Sequence, residues 1–135
     1  MTCTIINLPM PPSGNALYRN ARKGRVKTWR YMEWLDAAGW KLKSQEYANV
    51  TGPVELSIIL PRPLTKSGKV NMRRQDASNR IKALEDFLVQ NAVIEDDTHT
   101  VVYAVSARWD DGGGIPQGMC QIKIFPVPER IRGTV

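Results

Sequence analysis

Residues 75–101, QDASNRIKALEDFLVQNAVIEDDTHTV, concentrate the side chains able to do chemistry. Asp76 stands where a loop gives way to a helical pattern, Lys82 lies six residues on, and Asp96 and Asp97 follow the helix. A chain that turns back after its helix can bring a carboxylate from each end of the unit to one place. Two or more carboxylates suit Mg²⁺, a hard cation that takes oxygen ligands and keeps several waters. Such an ion neutralises charge on a phosphate and activates a water for in-line attack. Lys82 adds a fixed positive charge for the scissile phosphate or the leaving oxygen. The same residues have a plainer reading. Asp76 serves as a helix N-cap, Lys82 and Asp86 form an i,i+4 surface pair worth a few tenths of a kcal/mol, and Glu95-Asp96-Asp97 make a solvated turn. On spacing alone the plainer reading is the commoner. His99, the single histidine, reads as a polar strand residue ahead of a metal or phosphate contact.

The charge distribution favours the chemical reading. Nineteen Lys and Arg against thirteen Asp and Glu give a net charge of +6, and the pI is about 9.6. An excess of this size in a small domain favours a polyanionic partner, nucleic acid first and a membrane surface second. The first acidic residue is Glu33, and before it come Arg19, Arg22, Lys23, Arg25, Lys27 and Arg30. A second basic stretch, Arg62, Lys66, Lys69, Arg73 and Arg74, contains no acid. Six of the thirteen acids then fall between Asp76 and Asp97. Two basic segments thus flank an acidic cluster. A nuclease needs that arrangement, with cations for the backbone phosphates and carboxylates for the metal. Solvated surface charge is the bland alternative and by base rate the commoner one.

The elements that must position these residues follow from the hydrophobic pattern. A chain of 135 residues is one domain, 1–135, large enough to fold without a disulfide or metal staple. The mean hydropathy is −0.34, no apolar run approaches the ~20 residues of a membrane span, and the N-terminal residues lack a signal-peptide pattern. A cytoplasmic protein is expected. Cys3 and Cys120 match no metal-ligand spacing and read as small apolar strand residues with free thiols. Residues 2–8 alternate as a strand, and the Pro-, Gly- and Arg-rich residues 9–27 read as an extended loop. Residues 28–47 have helical spacing, with Trp29, Met32, Leu35, Ala38 and Leu42 expected on the core face and Trp34 and Trp40 off it. Residues 54–60 alternate as a strand, 61–75 form a long basic loop, and a second helix runs from 77 or 78 to 90. Its apolar stripe is Ile81, Leu84, Phe87 and Leu88, and Asp76 or Ser78 suits its N-cap. Residues 101–109 and 119–127 read as a closing β-hairpin, with Pro126 marking an edge or an end. The expected architecture is α+β in the order β-α-β-α-β-β, a mixed sheet packed with two helices.

The stretch Asp76-Ala77-Ser78-Asn79-Arg80-Ile81-Lys82, with Asp96-Asp97 after the helix, resembles the active-site region of the RusA family. The family pattern there is D-x-D-N-x-x-K, then a helix, then an acidic pair. The segment Leu8-Pro9-Met10-Pro11-Pro12-Ser13-Gly14-Asn15, with Tyr18-Arg19 following, resembles the family's opening strand and P-P-S-x-N segment. These are homodimeric, prophage-associated Holliday junction resolvases that act in DNA recombination and repair. The resemblance implies an endodeoxyribonuclease that uses Mg²⁺, with Mn²⁺ as substitute, to cut four-way DNA junctions by paired symmetric incisions. Position by position it implies that Asp76, Lys82 and Asp97 are catalytic and that Asp76, Asp97 and Asp96 hold the metal. DNA contacts fall on Asn15, Arg19, Arg22, Lys23, Arg25, Lys27, Lys66, Lys69, Arg73, Arg74 and Asn79. A C₂ dimer matches the two-fold symmetry of such a junction, and the closing hairpin and the first strand offer sheet edges for it. Ser78 departs from the pattern, since it stands where the family has its second aspartate, and a hydroxyl is a far poorer metal ligand than a carboxylate. Two further readings stay open at this point: a structure-specific DNA-binding dimer that has lost its chemistry, and a nuclease that prefers flaps or forks.

Overall fold

A computed structural model describes residues 3–62, 64, 66–69, 77–98 and 100–127. Four strands form the main sheet: β1 (Thr4–Pro9), β4 (Val54–Leu60), β5 (Val102–Trp109) and β6 (Met119–Pro126). Their spatial order is β1-β6-β4-β5. β6 runs antiparallel to both β1 and β4, and β4 runs parallel to β5. The sheet is therefore mixed, as expected. Period-2 alternation puts Ile6 and Leu8 of β1, Leu56, Ile58 and Leu60 of β4, and Ile122 and Ile124 of β6 on one face. All seven are at most 1% exposed.

Two helices close that face. The first, α1 (Trp29–Lys43), buries Tyr31, Trp34, Ala38 and Leu42, and the second, α2 (Ile81–Gln90), buries Ala83, Leu84, Phe87 and Leu88. These side chains join the strand residues in a single hydrophobic cluster. Burying one such side chain is worth about 1.5–3 kcal/mol, so the sheet face and the two stripes supply the main driving force for the fold.

Three expectations are corrected. First, residues 9–27 are not an extended loop. They hold a 3₁₀ turn at Gly14–Ala16 and a two-stranded hairpin, β2 (Tyr18–Ala21) with β3 (Gly24–Lys27). Arg22 and Lys23 sit at its tip, and Gly24 takes φ +99°, a left-handed conformation that glycine adopts without strain. The element order is thus β-β-β-α-β-α-β-β. The dense Arg and Lys content masked the alternation, because the hairpin is stabilised on one side only and its outer face is solvated.

Second, β5 and β6 do not form a closing hairpin, because β4 lies between them. β4 carries Ile59 buried on its second face as well. A strand buried on both faces belongs inside a sheet. β6 is therefore interior, the sheet edges are β1 and β5, and Pro126 marks an end and not an edge. At β1 the edge is partly covered, because the Gln45 carboxamide accepts from Asn7 N–H (3.0 Å) and donates to Asn7 C=O (2.7 Å). One side-chain amide thereby stands in for a neighbouring strand.

Third, α1 is rotated from the expected orientation. Trp29 is 73% exposed and Met32 50%, whereas Trp34 is 6% exposed. Trp34 is drawn inwards because its indole N–H donates to Pro9 C=O (2.9 Å) and its ring meets Phe87 edge-on, with centroids 5.5 Å apart. Such an indole pays its apolar burial and satisfies its one donor together. α1 also ends at Lys43, short of residue 47. Cys120 is buried in β6 and Cys3 lies just before β1, and both thiols are free.

Candidate active site

The site is built around α2. A 3₁₀ turn, Ala77–Arg80, leads into the helix, so the α-helix proper begins at Ile81 and not at 77 or 78, and Arg80 occupies its N-cap position without a side-chain cap. Ser78 is exposed within that turn. Asp76, Arg73, Arg74 and His99 lie outside the described residues.

Lys82 projects from the first turn of α2. Its Nζ is 3.0 Å from Asp86 Oδ1, one turn on, and 3.4 Å from Asp97 Oδ2. The second contact spans the helix and the loop after it. That loop turns back sharply: Asn91 Nδ2 donates to Phe87 C=O, Ala92 takes φ +57°, and Val93 and Ile94 plunge into the core. Buried apolar side chains thus fix the return path, and the acids after them are carried back to Lys82. The three acids then diverge. Glu95 accepts from Gly52 N–H (2.9 Å) and ties the loop to the turn before β4. Asp96 accepts from Asp97 N–H (2.8 Å). Asp97 faces the lysine.

Electrostatics bind these groups together. The Lys82 ammonium is held above its ordinary range, chiefly by its hydrogen bond to Asp86, with Asp97 adding to the effect and partial burial opposing it. Glu85, on the next position of the helix to Asp86, is half-buried, and its carboxyl is pushed up by burial first and by the like charge of Asp97 second. Tyr31 of α1 is raised to about 12, mainly by burial and then by Tyr18, with Asp86 raising and Lys82 lowering it. The phenol is therefore within electrostatic reach of the Lys82–Asp86 pair.

The proline-rich segment completes the surroundings. Arg80 Nη1 donates to Pro11 C=O (2.6 Å). Gly14 lies against Asn79 so closely that a Cβ there would sit 3.1 Å from Asn79 Oδ1. Residues 11–15 and 79–80, far apart in sequence, therefore meet in space. Asn15 is exposed on the 3₁₀ turn beside them. Between this segment and α1 runs a cleft of about 480 Å³, with Trp34 and Pro11 on its apolar side and Arg30, Glu33 and Arg80 on its polar side.

The expected DNA-contacting cations occupy two separate surfaces. Arg19, Arg22, Lys23, Arg25 and Lys27 are exposed on the β2–β3 hairpin, and Lys66 and Lys69 are exposed on the loop after β4. An aromatic row, Tyr18–Tyr31–Trp34–Phe87, with centroids 5.8, 6.3 and 5.5 Å apart, runs from the hairpin through α1 to α2. The row joins the basic hairpin to the helix that carries Lys82. Asp86 as a second partner of Lys82 was available from i,i+4 spacing. Glu85 was legible as part of the same polar stripe as Lys82 and Asp86, whereas its half-burial and the aromatic row had no sequence signal of comparable strength.

The donor chemistry suits a hard divalent cation in kind. Asp97 and Asp96, the described members of the expected ligand set, offer carboxylate oxygens, the donor such a cation takes. Among the described residues no three acidic, His or Cys side chains converge at metal-ligand positions. Nor is any helix long and apolar enough to cross a membrane, among the described residues.

A small basic α+β fold that brings carboxylates to a lysine and carries a cationic hairpin has the charge pattern of a protein that handles a polyanion. The family model for endodeoxyribonuclease RusA matches residues 9–116, from the proline segment through the hairpin, both helices and β5. The chain belongs to that family of structure-specific endodeoxyribonucleases acting on Holliday junctions. No curated protein sequence matches the chain.

Proposed function

We propose that this protein is a Mg²⁺-dependent, homodimeric resolvase that cuts four-way DNA junctions by paired symmetric incisions. The observation that carries the reading is Lys82, poised between Asp86 and Asp97 across the α2–loop unit of a RusA-family chain. In this reading Asp76 and Asp97 hold the ion, Asp96 assists, and Mn²⁺ can substitute. When bound, the metal supplies charge neutralisation at the scissile phosphate and a more acidic attacking water.

The chain's own residues do the rest. Asp86 and Asp97 keep the Lys82 ammonium protonated and aimed, so that a fixed positive charge meets the charge that develops on the phosphate or the leaving oxygen. Asp96 holds the Asp97 backbone through its 2.8 Å hydrogen bond and so sets the direction of that carboxylate. The hairpin cations, with Lys66, Lys69, Arg73 and Arg74, neutralise backbone phosphates, and Asn15 and Asn79 contact DNA beside the site. A two-fold dimer supplies two equivalent sites to two symmetry-related strands.

The test is incision of a synthetic four-way junction with Mg²⁺ by the wild-type chain and by Asp76→Asn and Asp97→Asn, beside a linear duplex of the same sequence. Paired nicks in the junction alone, lost in both variants while junction binding persists, are expected. Full cutting by either variant removes that residue from the mechanism. A second reading rests on Ser78 at the family's second aspartate position: a DNA-binding dimer without chemistry. It predicts retarded junction and no nicks, in Mg²⁺ and then in Mn²⁺.

A further inference from the structure

We infer that Trp29 is a stacking platform that takes a base face left open where the stack is interrupted at the branch point of the DNA. The inference rests on the junction-binding reading above and adds a contact that the cations alone do not supply. Trp29 is the first residue of α1 and is 73% exposed, and Val26 and Met32 beside it in sequence are 37% and 50% exposed. Trp29 and Met32 stand three apart on α1 and so are neighbours on the helix surface, which leaves the indole face open to a partner. Its surroundings select the partner. The six cations between Arg19 and Arg30 have no acid among them in sequence, and, among the described residues, none of them forms an ion pair. Arg25 and Lys27 instead lie over the rings of Tyr18 and Tyr31, at 5.2 and 5.9 Å. The first turn of α1 also holds no acid to offset the positive end of the helix. A second copy of this basic segment would face unrelieved repulsion there, and an apolar protein surface would desolvate the cations without pairing them. A polyanion with exposed π-faces fits both features, since cations track the backbone while an aromatic ring takes a base.

The position of Trp29 is fixed from both sides. Thr28 caps α1 by accepting from Tyr31 N–H (3.2 Å), and its hydroxyl donates to Ala16 C=O (2.6 Å). Thr28 N–H donates to Leu17 C=O (2.9 Å). The residue before the platform is thus anchored to the hairpin base and to Tyr31, which lies within electrostatic reach of Lys82 and Asp86. Continuous duplex covers both faces of every interior base, whereas a branch point interrupts the stack and leaves base faces for an aromatic ring to cover. Trp29 therefore adds affinity for branched DNA over duplex.

The test uses the full chain, a four-way junction carrying 2-aminopurine at the crossover or within an arm, and an arm-matched duplex. Wild type is expected to change the crossover fluorescence and not the arm fluorescence. Trp29→Ala should abolish that change and weaken junction binding about 5- to 150-fold, the range for loss of one base–aromatic stack. Duplex binding and the salt slope should stay as in wild type, because no phosphate contact is lost. Trp29→Phe should restore most of the signal. Wild-type junction affinity and fluorescence in Trp29→Ala overturn the inference, as does an equal loss on duplex, or a change of oligomeric state in sedimentation that accounts for the loss. Wild type that does not prefer junction to duplex overturns the junction-binding reading itself, and the inference with it.

Discussion

Replacing Lys82 by Met separates chemistry from stability at this site. The side chain is 64% exposed, and its two ion pairs, at 3.0 and 3.4 Å, both open to solvent. Exposed pairs are worth roughly 0–1 kcal/mol each, and an i,i+4 helix pair about 0.3–0.5 kcal/mol. Met keeps the aliphatic stem, so little packing is lost. The expected loss of stability is about 1 kcal/mol, which lowers Tm by roughly 3–6 °C in a domain of this size. Part of that loss comes from the carboxylates left behind, since Glu85 already feels the repulsion of Asp97 and Asp86. The expected loss of chemistry is much larger. A positioned charge that acts only as the transition state develops is worth about 10²–10³ in rate. Thermal unfolding and single-turnover cleavage of a four-way junction at saturating enzyme read the two effects on the same preparations. A wild-type cleavage rate in Lys82→Met refutes the role given to the ammonium. A Tm loss above about 10 °C with a proportionate loss of junction binding refutes the claim that Lys82 is structurally dispensable.

Three other outcomes follow from the packing and the titrating groups. Trp34→Ala should cost about 3–5 kcal/mol, because it removes a buried ring from the middle of the aromatic row together with the bond to Pro9 C=O; urea unfolding checks it, and a cost under 1 kcal/mol contradicts the packing described. Gln45→Ala should uncover the β1 edge at Asn7 and lose two hydrogen bonds, for about 1–2 kcal/mol and a rise in self-association seen by light scattering; unchanged stability and scattering would show that the edge needs no cover. Burial holds the Cys120 thiol and the Tyr31 phenol up at about 12 in the folded chain, so the unfolded chain ionises them first as pH rises past about 9. Folded stability should therefore fall between about pH 9 and 12, and Cys120 should resist alkylation at pH 8 until the chain unfolds, read by mass spectrometry. Rapid native labelling of Cys120 would contradict its burial.

The elements with an uninterrupted pattern were legible from sequence. β4 runs over residues 54–60 as its alternation predicts, and α2 ends at Gln90 beside Asn91 as expected. The errors share one cause, which is that one-dimensional periodicity does not say what an element packs against. The face of α1 was misassigned because Trp29 and Trp34 score alike as apolar residues, and only the Pro9 carbonyl and Phe87 distinguish them in space. The β2–β3 hairpin was hidden because five of its residues are cationic and its burial is slight. The separation of β5 from β6 by β4 is a non-local choice that the turn-rich loop between them could not reveal. At the site, the approach of Lys82 to Asp97 depends on Val93 and Ile94 entering the core, which the AVIEDD segment, apolar and then acidic, hints at but does not fix. Asp76, Arg73 and Arg74, which lie outside the described residues, rest on the sequence motif.

What the structure adds to the motif is a mechanical connection between the charged surfaces. Two cationic segments beside an acidic cluster could belong to any basic protein with a solvated turn. Here the hairpin is not an independent flap. Tyr18 at its base packs edge-on against Tyr31, Tyr31 stacks on Trp34, and Trp34 meets Phe87 inside α2. Helix α2 in turn presents Lys82 from its opposite, solvent-facing side. Packed side chains of this size transmit strain and hold geometry, because an interior at crystal-like density has no slack to absorb a shift. Under the proposed function, a phosphate backbone bound by Arg22, Lys23 and Arg25 would be held at a set distance from Lys82 and Asp97. The requirement is strict for a nuclease that must place one phosphate among many, since an error of about 1 Å in such placement can cost 10²-fold in rate. The apolar row inside the domain is in this sense part of the positioning apparatus for the charges outside it.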